Sequence, residues 1–263
     1  MRLAPLTAAA AACALLLSGT ACLSGTAHAA PYPIRDRDLT ANKLYRAGEL
    51  QTSSCPEEEV QPGDVEAAKR YLTTALDCLN TAWGAYFKRA RLPFRKARIG
   101  FVTKPRRFCQ ASWGEAAAVY CPQERRFLVL LDDNLLDDPS DLYLFNLAAH
   151  EYGHHVQLLT GIERAYQRHP YRNKKELYEQ LRRVELQAEC LGGVFVGSVW
   201  TSLDRTSRDW DELMRITRAS GDEQFKVRSH GKGRTIAAWL DRGRRAKDPR
   251  ACNTWTAPSA KVS

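Results

Sequence analysis

Residues 142–159 run Leu-Tyr-Leu-Phe-Asn-Leu-Ala-Ala and continue through Val156, Leu158 and Leu159, and His150, Glu151 and His154 are set in the middle of them. A helix this apolar is buried on most sides, so polar groups placed in it need partners or a metal. Residues four apart on an α-helix differ by about 40° in azimuth and one turn in rise, which lets His150 and His154 aim both imidazoles at one cation. This HExxH spacing is a zinc-hydrolase signature. Two corners of a tetrahedron are filled, and Glu151 remains free to act as general base towards water on the open side. The competing reading is a solvated polar turn, which the apolar surroundings disfavour. The fold must therefore deliver a third ligand from another element.

The next strongly helical stretch, Lys175 to Trp200, contains no proline and carries Glu176, Glu179, Glu185 and Glu189. In Val184-Glu185-Leu186-Gln187-Ala188-Glu189-Cys190 two acids stand four apart on one face, and Ala188, Gly192 and Gly193 permit close helix approach. Glu185 is the expected third ligand. Glu189 is the expected partner of a ligand histidine's second ring nitrogen, since metal-bound histidines usually donate that N–H to a carboxylate or carbonyl. Arg182 and Arg183 favour the alternative, an exposed salt-bridged face.

The run Ala149-His150-Glu151-Tyr152-Gly153-His154-His155-Val156-Gln157, followed by Glu185-Leu186-Gln187-Ala188-Glu189-Cys190, resembles the bacterial neutral zinc metallopeptidase family, zincins with a glutamate third ligand. Tyr120-Cys121-Pro122 with Phe127–Asp132 is similar to the segment ahead of that family's zinc helix. Ser229-His230-Gly231 with Arg234 and Trp239 is similar to its C-terminal block. The resemblance spans about 120 to 240, with one departure: the family usually has Asp where this chain has Glu189. It implies a zincin-like domain, one zinc ion per chain and peptide-bond hydrolysis. It also implies that substrate backbone adds to an edge strand, a role assigned to Phe127–Leu131.

Arg2, the apolar stretch Ala8–Leu17 and the A-x-A site Ala27-His28-Ala29 read as a secretory signal peptide over 1–29. A membrane anchor is disfavoured because that stretch is only about ten residues long. Lipidation at Cys22 is a minor alternative. Six cysteines remain, and an even count in an exported chain suggests three disulfides. Sequence alone permits 15 pairings. The simplest is sequential: Cys55–Cys78, Cys109–Cys121 and Cys190–Cys252. The even count also argues against Cys55 as a latency thiol on the metal.

Residues 30–62 are polar and proline-bearing, with Glu57-Glu58-Glu59, and read as a loosely packed lead-in that is a candidate pro-segment. Asp64 is the expected N-cap of a helix to about Arg89, with Val65, Ala68, Tyr71, Leu72, Ala75, Leu79, Trp83 and Phe87 as its core stripe. Ala97–Val102 and Phe127–Leu131 read as strands. The expectation is one helix-rich α+β domain over 63–255 with a small β-sheet, stapled by disulfides, and a tail at 256–263. The net charge of +9 comes from scattered arginine and lysine pairs, without the aromatic-interleaved stripe of a nucleic-acid binder. Nucleic acid is not an expected partner, nor is a membrane span; peptide substrates and anionic cell-envelope polymers are.

The sequence thus points to a secreted zinc metallopeptidase in which His150, His154 and Glu185 hold the metal and Glu151 moves the proton. Its rival is a non-catalytic exported basic protein whose zinc is structural and which binds envelope polymers. His230 is the leading candidate for the donor that stabilises the developing oxyanion, ahead of Arg234 and Tyr152. His155, about 100° around the helix from His154, is expected to bond neighbouring structure, and His169 to lie exposed in a loop.

Overall fold

The computed structural model describes residues 34–137, 140–224 and 227–263. The expected leader, its cleavage site and Cys22 lie outside the described residues. The chain opens with a short helix α1 (Arg37–Thr40) and then an extended strap, followed by the long helix α2 (Val65–Arg89), begun where the Asp64 carboxylate accepts from the Ala67 N–H. From α2, Tyr71, Leu72, Leu79, Trp83 and Phe87 are buried as the helical spacing requires.

Three strands follow: β1 (Arg98–Val102), β2 (Ala118–Cys121) and β3 (Arg126–Leu130). Their order is β1-β3-β2, with β1 parallel and β2 antiparallel to β3. This corrects the assignment of the edge role to Phe127–Leu131: that segment is the central strand, hydrogen-bonded on both sides, and its apolar run is the mark of a strand covered on both faces. The edge beside the helix that carries His150 is β2. Its sequence begins in Ala116-Ala117-Ala118, whose weak strand propensity concealed it.

After the short α3 (Asp133–Leu136), the helix bearing His150 is α4 (Asp141–Thr160), capped by Ser140 and closed by Gly161 in the left-handed region at φ 79°. It turns through α5 (Ile162–Arg168) into α6 (Lys174–Val199), which Asn173 caps at its start. From Val184 to Val199 nearly every side chain of α6 is buried, so α6 is the axis of the fold. The helices α7 (Ser207–Ala219) and α8 (Gly233–Ala246) complete it. Glycines set the spacing around α6. A Cβ at Gly153 of α4 would lie 2.5 Å from the Ala188 carbonyl oxygen, and one at Gly193 would lie 2.2 Å from that of Leu240 in α8. Gly193 therefore serves the α8 contact, while Gly192 faces α4.

The segment read as a loose lead-in is packed. Leu39, Leu44, Leu50 and Val60 are buried, and its backbone bonds Ser198, the Ser202 hydroxyl and Lys247. Of its acids, Glu57 pairs with Arg205, which also reaches Asp141 at the start of α4. The residues after 255 belong to the same core: Val262 is fully buried, and the Lys261 carbonyl accepts from the Trp239 indole. Disulfides join Cys55–Cys78, Cys109–Cys121 and Cys190–Cys252. None of the helices among the described residues is long and apolar enough to cross a membrane.

Candidate metal centre

The close approach of α4 and α6 at Gly153 and Ala188 brings the two ligand-bearing faces together. His150 Nε2 lies 3.5 Å and His154 Nε2 3.2 Å from Glu185 Oε2. The ligand atoms of these three residues all fall within 4.8 Å of one another. His150 and His154 stand nearly perpendicular, ring centroids 5.0 Å apart.

Each imidazole is anchored from behind. The Nδ1–H of His150 donates to Glu189 Oε2 at 2.7 Å, because a carboxylate can only accept, and Asn146 Nδ2 donates to the other carboxylate oxygen at 2.9 Å. The extra methylene of Glu over Asp is accommodated. The Nδ1–H of His154 donates to Gln157 Oε1 at 3.0 Å. With both Nδ1 atoms serving as donors, the two Nε2 lone pairs and the Glu185 oxygen converge on one point with no neutral donor among them. Such a set is repulsive unless a positive charge sits within it, and two imidazoles and one carboxylate suit Zn²⁺. The electrostatics agree. Burial pushes the Glu185 carboxyl up, but His154 and His150 outweigh it and hold the group well below the usual carboxylate range. Burial lowers both histidines, yet the carboxylates raise His150 well above its ordinary value and His154 above its own. The pocket thus favours a cation at its centre.

Glu151 is 5% exposed and lies outside the ligand trio, and burial raises its pKa. It lines the floor of a cleft of about 760 Å³ together with His150, Glu185 and Glu189. The cleft runs from Trp113 and Ala116–Ala118 on the β2 side to Ser229 and His230. His230 Nε2 is 3.5 Å from Glu185 Oε2 on a half-exposed side chain, so the structure brings this residue to the centre. The residue that holds it there, Asp222, carried no sequence signal. Its buried carboxylate accepts from the His230 and Gly231 backbone N–H groups.

Three other candidates point elsewhere. Tyr152 is fully buried and donates to Asn80 of α2, and Arg234 is exposed on the first turn of α8, away from the cleft lining. His155 accepts from the Tyr120 hydroxyl of β2 and donates to the Arg95 carbonyl, both at 2.7 Å. Burial lowers its pKa to about 4, so it is a neutral bolt between the sheet and α4. His169 is not the exposed loop residue expected, since its side chain is largely covered and faces Asp36. Arg183 is not on the exposed face that the alternative reading required: it is 1% exposed, pairs with Glu179 and donates to the Thr254 and Ala257 carbonyls.

The family model described as "Putative neutral zinc metallopeptidase" matches residues 36–255. The chain belongs to the neutral zinc metallopeptidase family. The match includes most of the lead-in, in keeping with its burial. Among relatives of this family, "Uncharacterized protein YpfJ" of Escherichia coli (strain K12) is 27% identical, with 74% of each chain covered. "Uncharacterized protein Mb2605" of Mycobacterium bovis (strain ATCC BAA-935 / AF2122/97) is 24% identical over 57% of this chain and 58% of its own. No solved structure matches.

Proposed function

We propose that this family member is an exported zinc metallopeptidase that cuts peptide bonds with Glu151 as general base. The observation that carries the reading is the convergence of His150, His154 and Glu185 beside a buried carboxylate outside that trio, on the floor of an open cleft. Structural zinc sites are usually closed by four protein ligands, and this one offers three.

Zinc held there supplies a Lewis acid that acidifies water and polarises a carbonyl. Glu151 takes the proton from the attacking water and returns it to the leaving amine; its raised pKa suits a group that must both accept and release it. His230, at the far lip of the centre, is placed to donate to the carbonyl oxygen as its charge grows. The outer edge of β2 offers unpaired backbone to an extended substrate. Trp113, Tyr143, Leu147 and Ile236 in the cleft favour an apolar side chain. Three disulfides support export.

The test is zinc content and cleavage of a mixed-sequence peptide library by the chain from Ala30, native and Glu151→Gln. Both should carry about one zinc per chain, with cleavage falling by about 10²–10⁴ in the variant. Zinc bound by a native protein that cuts nothing would transfer the reading to the structural-zinc, polymer-binding alternative.

A further inference from the structure

The two ligand imidazoles are anchored by different chemistry, a carboxylate behind His150 and a neutral amide behind His154. Gln157, the amide, has no exposed surface. Its Nε2 donates to the Val184 carbonyl at 2.8 Å and to Gln187 Oε1 at 3.1 Å. Gln187 is also fully buried. Its Nε2 donates to the Cys252 carbonyl at 3.1 Å and to the Tyr45 hydroxyl at 2.7 Å, and its Oε1 accepts from the Trp255 indole at 3.4 Å.

An isolated side-chain amide can turn over and exchange its donor and acceptor ends. This pair cannot do so freely. The Val184 and Cys252 carbonyls only accept and the Trp255 indole only donates, so turning either amide sets oxygen against oxygen, or N–H against N–H, in a dry interior. An aliphatic side chain would fill the same volume without the cost of burying two amides.

We infer that Gln157 and Gln187 form a relay of fixed polarity that holds His154 in its Nδ1–H tautomer and so presents the Nε2 lone pair to the metal. The inference rests on the metal-site reading above. Neither glutamine reaches the centre; both are positioning residues, and Tyr45, in the segment before α2, closes the far end. A neutral relay also adds no charge. Glu151, Glu185 and Glu189 already set three carboxylates around one divalent cation, and a fourth at 157 would bury further surplus charge.

The experiment uses the full mature chain loaded with Co²⁺, whose paramagnetism shifts the ligand imidazole N–H protons clear of the NMR envelope. Metal affinity is read separately by chelator competition. In the native protein two slowly exchanging N–H signals are expected, one from each ligand histidine. Gln157→Met should weaken metal binding by about 10–100-fold and remove or accelerate the His154 signal alone, with the Glu189-bonded His150 signal as internal control. Gln187→Met, which touches neither ligand, should shift both readouts in the same direction. Trp255→Phe keeps an aromatic ring, though a smaller one, and deletes the one fixed donor; it should accelerate the same signal and carries the test if the methionine variants do not fold. Native affinity and two slow signals in the folded variants would overturn the relay while leaving the metal site intact. A native protein that binds neither Co²⁺ nor Zn²⁺ would instead overturn the metal-site reading beneath it.

Discussion

At the scale of single residues, polar groups in this protein are buried where they have fixed partners, and His155 shows the consequence for stability. In the folded chain its pKa is depressed to about 4, against about 6.5 when unfolded. The unfolded state therefore binds the extra proton first. The contribution of this residue is complete above about pH 6.5 and is lost as pH falls towards 4, an amount of about 3 kcal/mol. Denaturant melts at both ends of that window, in chelator so that metal release does not contribute, should show the loss in the native chain and a much flatter profile in His155→Gln. HExxH and Glu185 were legible because helical spacing is a local property that needs no knowledge of the fold. Glu189 was legible for the same reason. Gln157, Gln187 and Asp222 were not: their roles depend on carbonyls and loops far away in sequence, and an amide or an acid at such a position looks like any other.

Among elements, the approach of α4 to α6 decides whether a centre exists. Gly153→Ala would place a methyl 2.5 Å from the Ala188 carbonyl oxygen, and the helices must part to admit it. Overpacking of this kind costs about 1–3 kcal/mol, and the ligand faces separate with it, so zinc affinity should fall together with the melting temperature. The strap before α2 makes a second prediction. Trimming to Ile34 should leave the melting temperature nearly unchanged, whereas trimming to Cys55 removes Ile34, Leu39, Leu44, Tyr45 and Leu50 from the core and should yield protein that does not fold, rather than an activated enzyme. Limited proteolysis and calorimetry of the two forms would decide it. The helices were readable from their apolar period and caps. The strap was misjudged because its apolar residues are spaced irregularly through two short helical turns and an extended stretch, and β2 was missed because Ala116 and Ala117 lead into it and its own four residues open on a third alanine.

For the molecule as a whole, cross-links and metal act on the same equilibrium. Closing loops of this length by disulfides stabilises by about 3–4 kcal/mol each, and a metal in hundredfold excess over its Kd adds about 2.7 kcal/mol. Chelation alone should therefore lower the melting temperature by several degrees, and reductant with chelator by considerably more; no shift on chelation would mean that the centre contributes nothing to the native state, and equal shifts that the cross-links do not. The buried Arg183 has a wider consequence. It takes its carbonyl partners from Thr254 and Ala257, while Gln187 bonds Cys252 on one side and Tyr45 on the other, and Asn253 reaches the Thr40 carbonyl. The first and last turns of the described chain thus meet around the middle of α6. Contacts this distant in sequence make folding slow, and under the export proposed above a chain threaded from its N-terminus through a secretion channel would have no closed core until residues 252–257 had emerged. Until then the proposed hydrolytic centre would be unfinished, so assembly order itself would keep such a peptidase silent inside the cell that makes it.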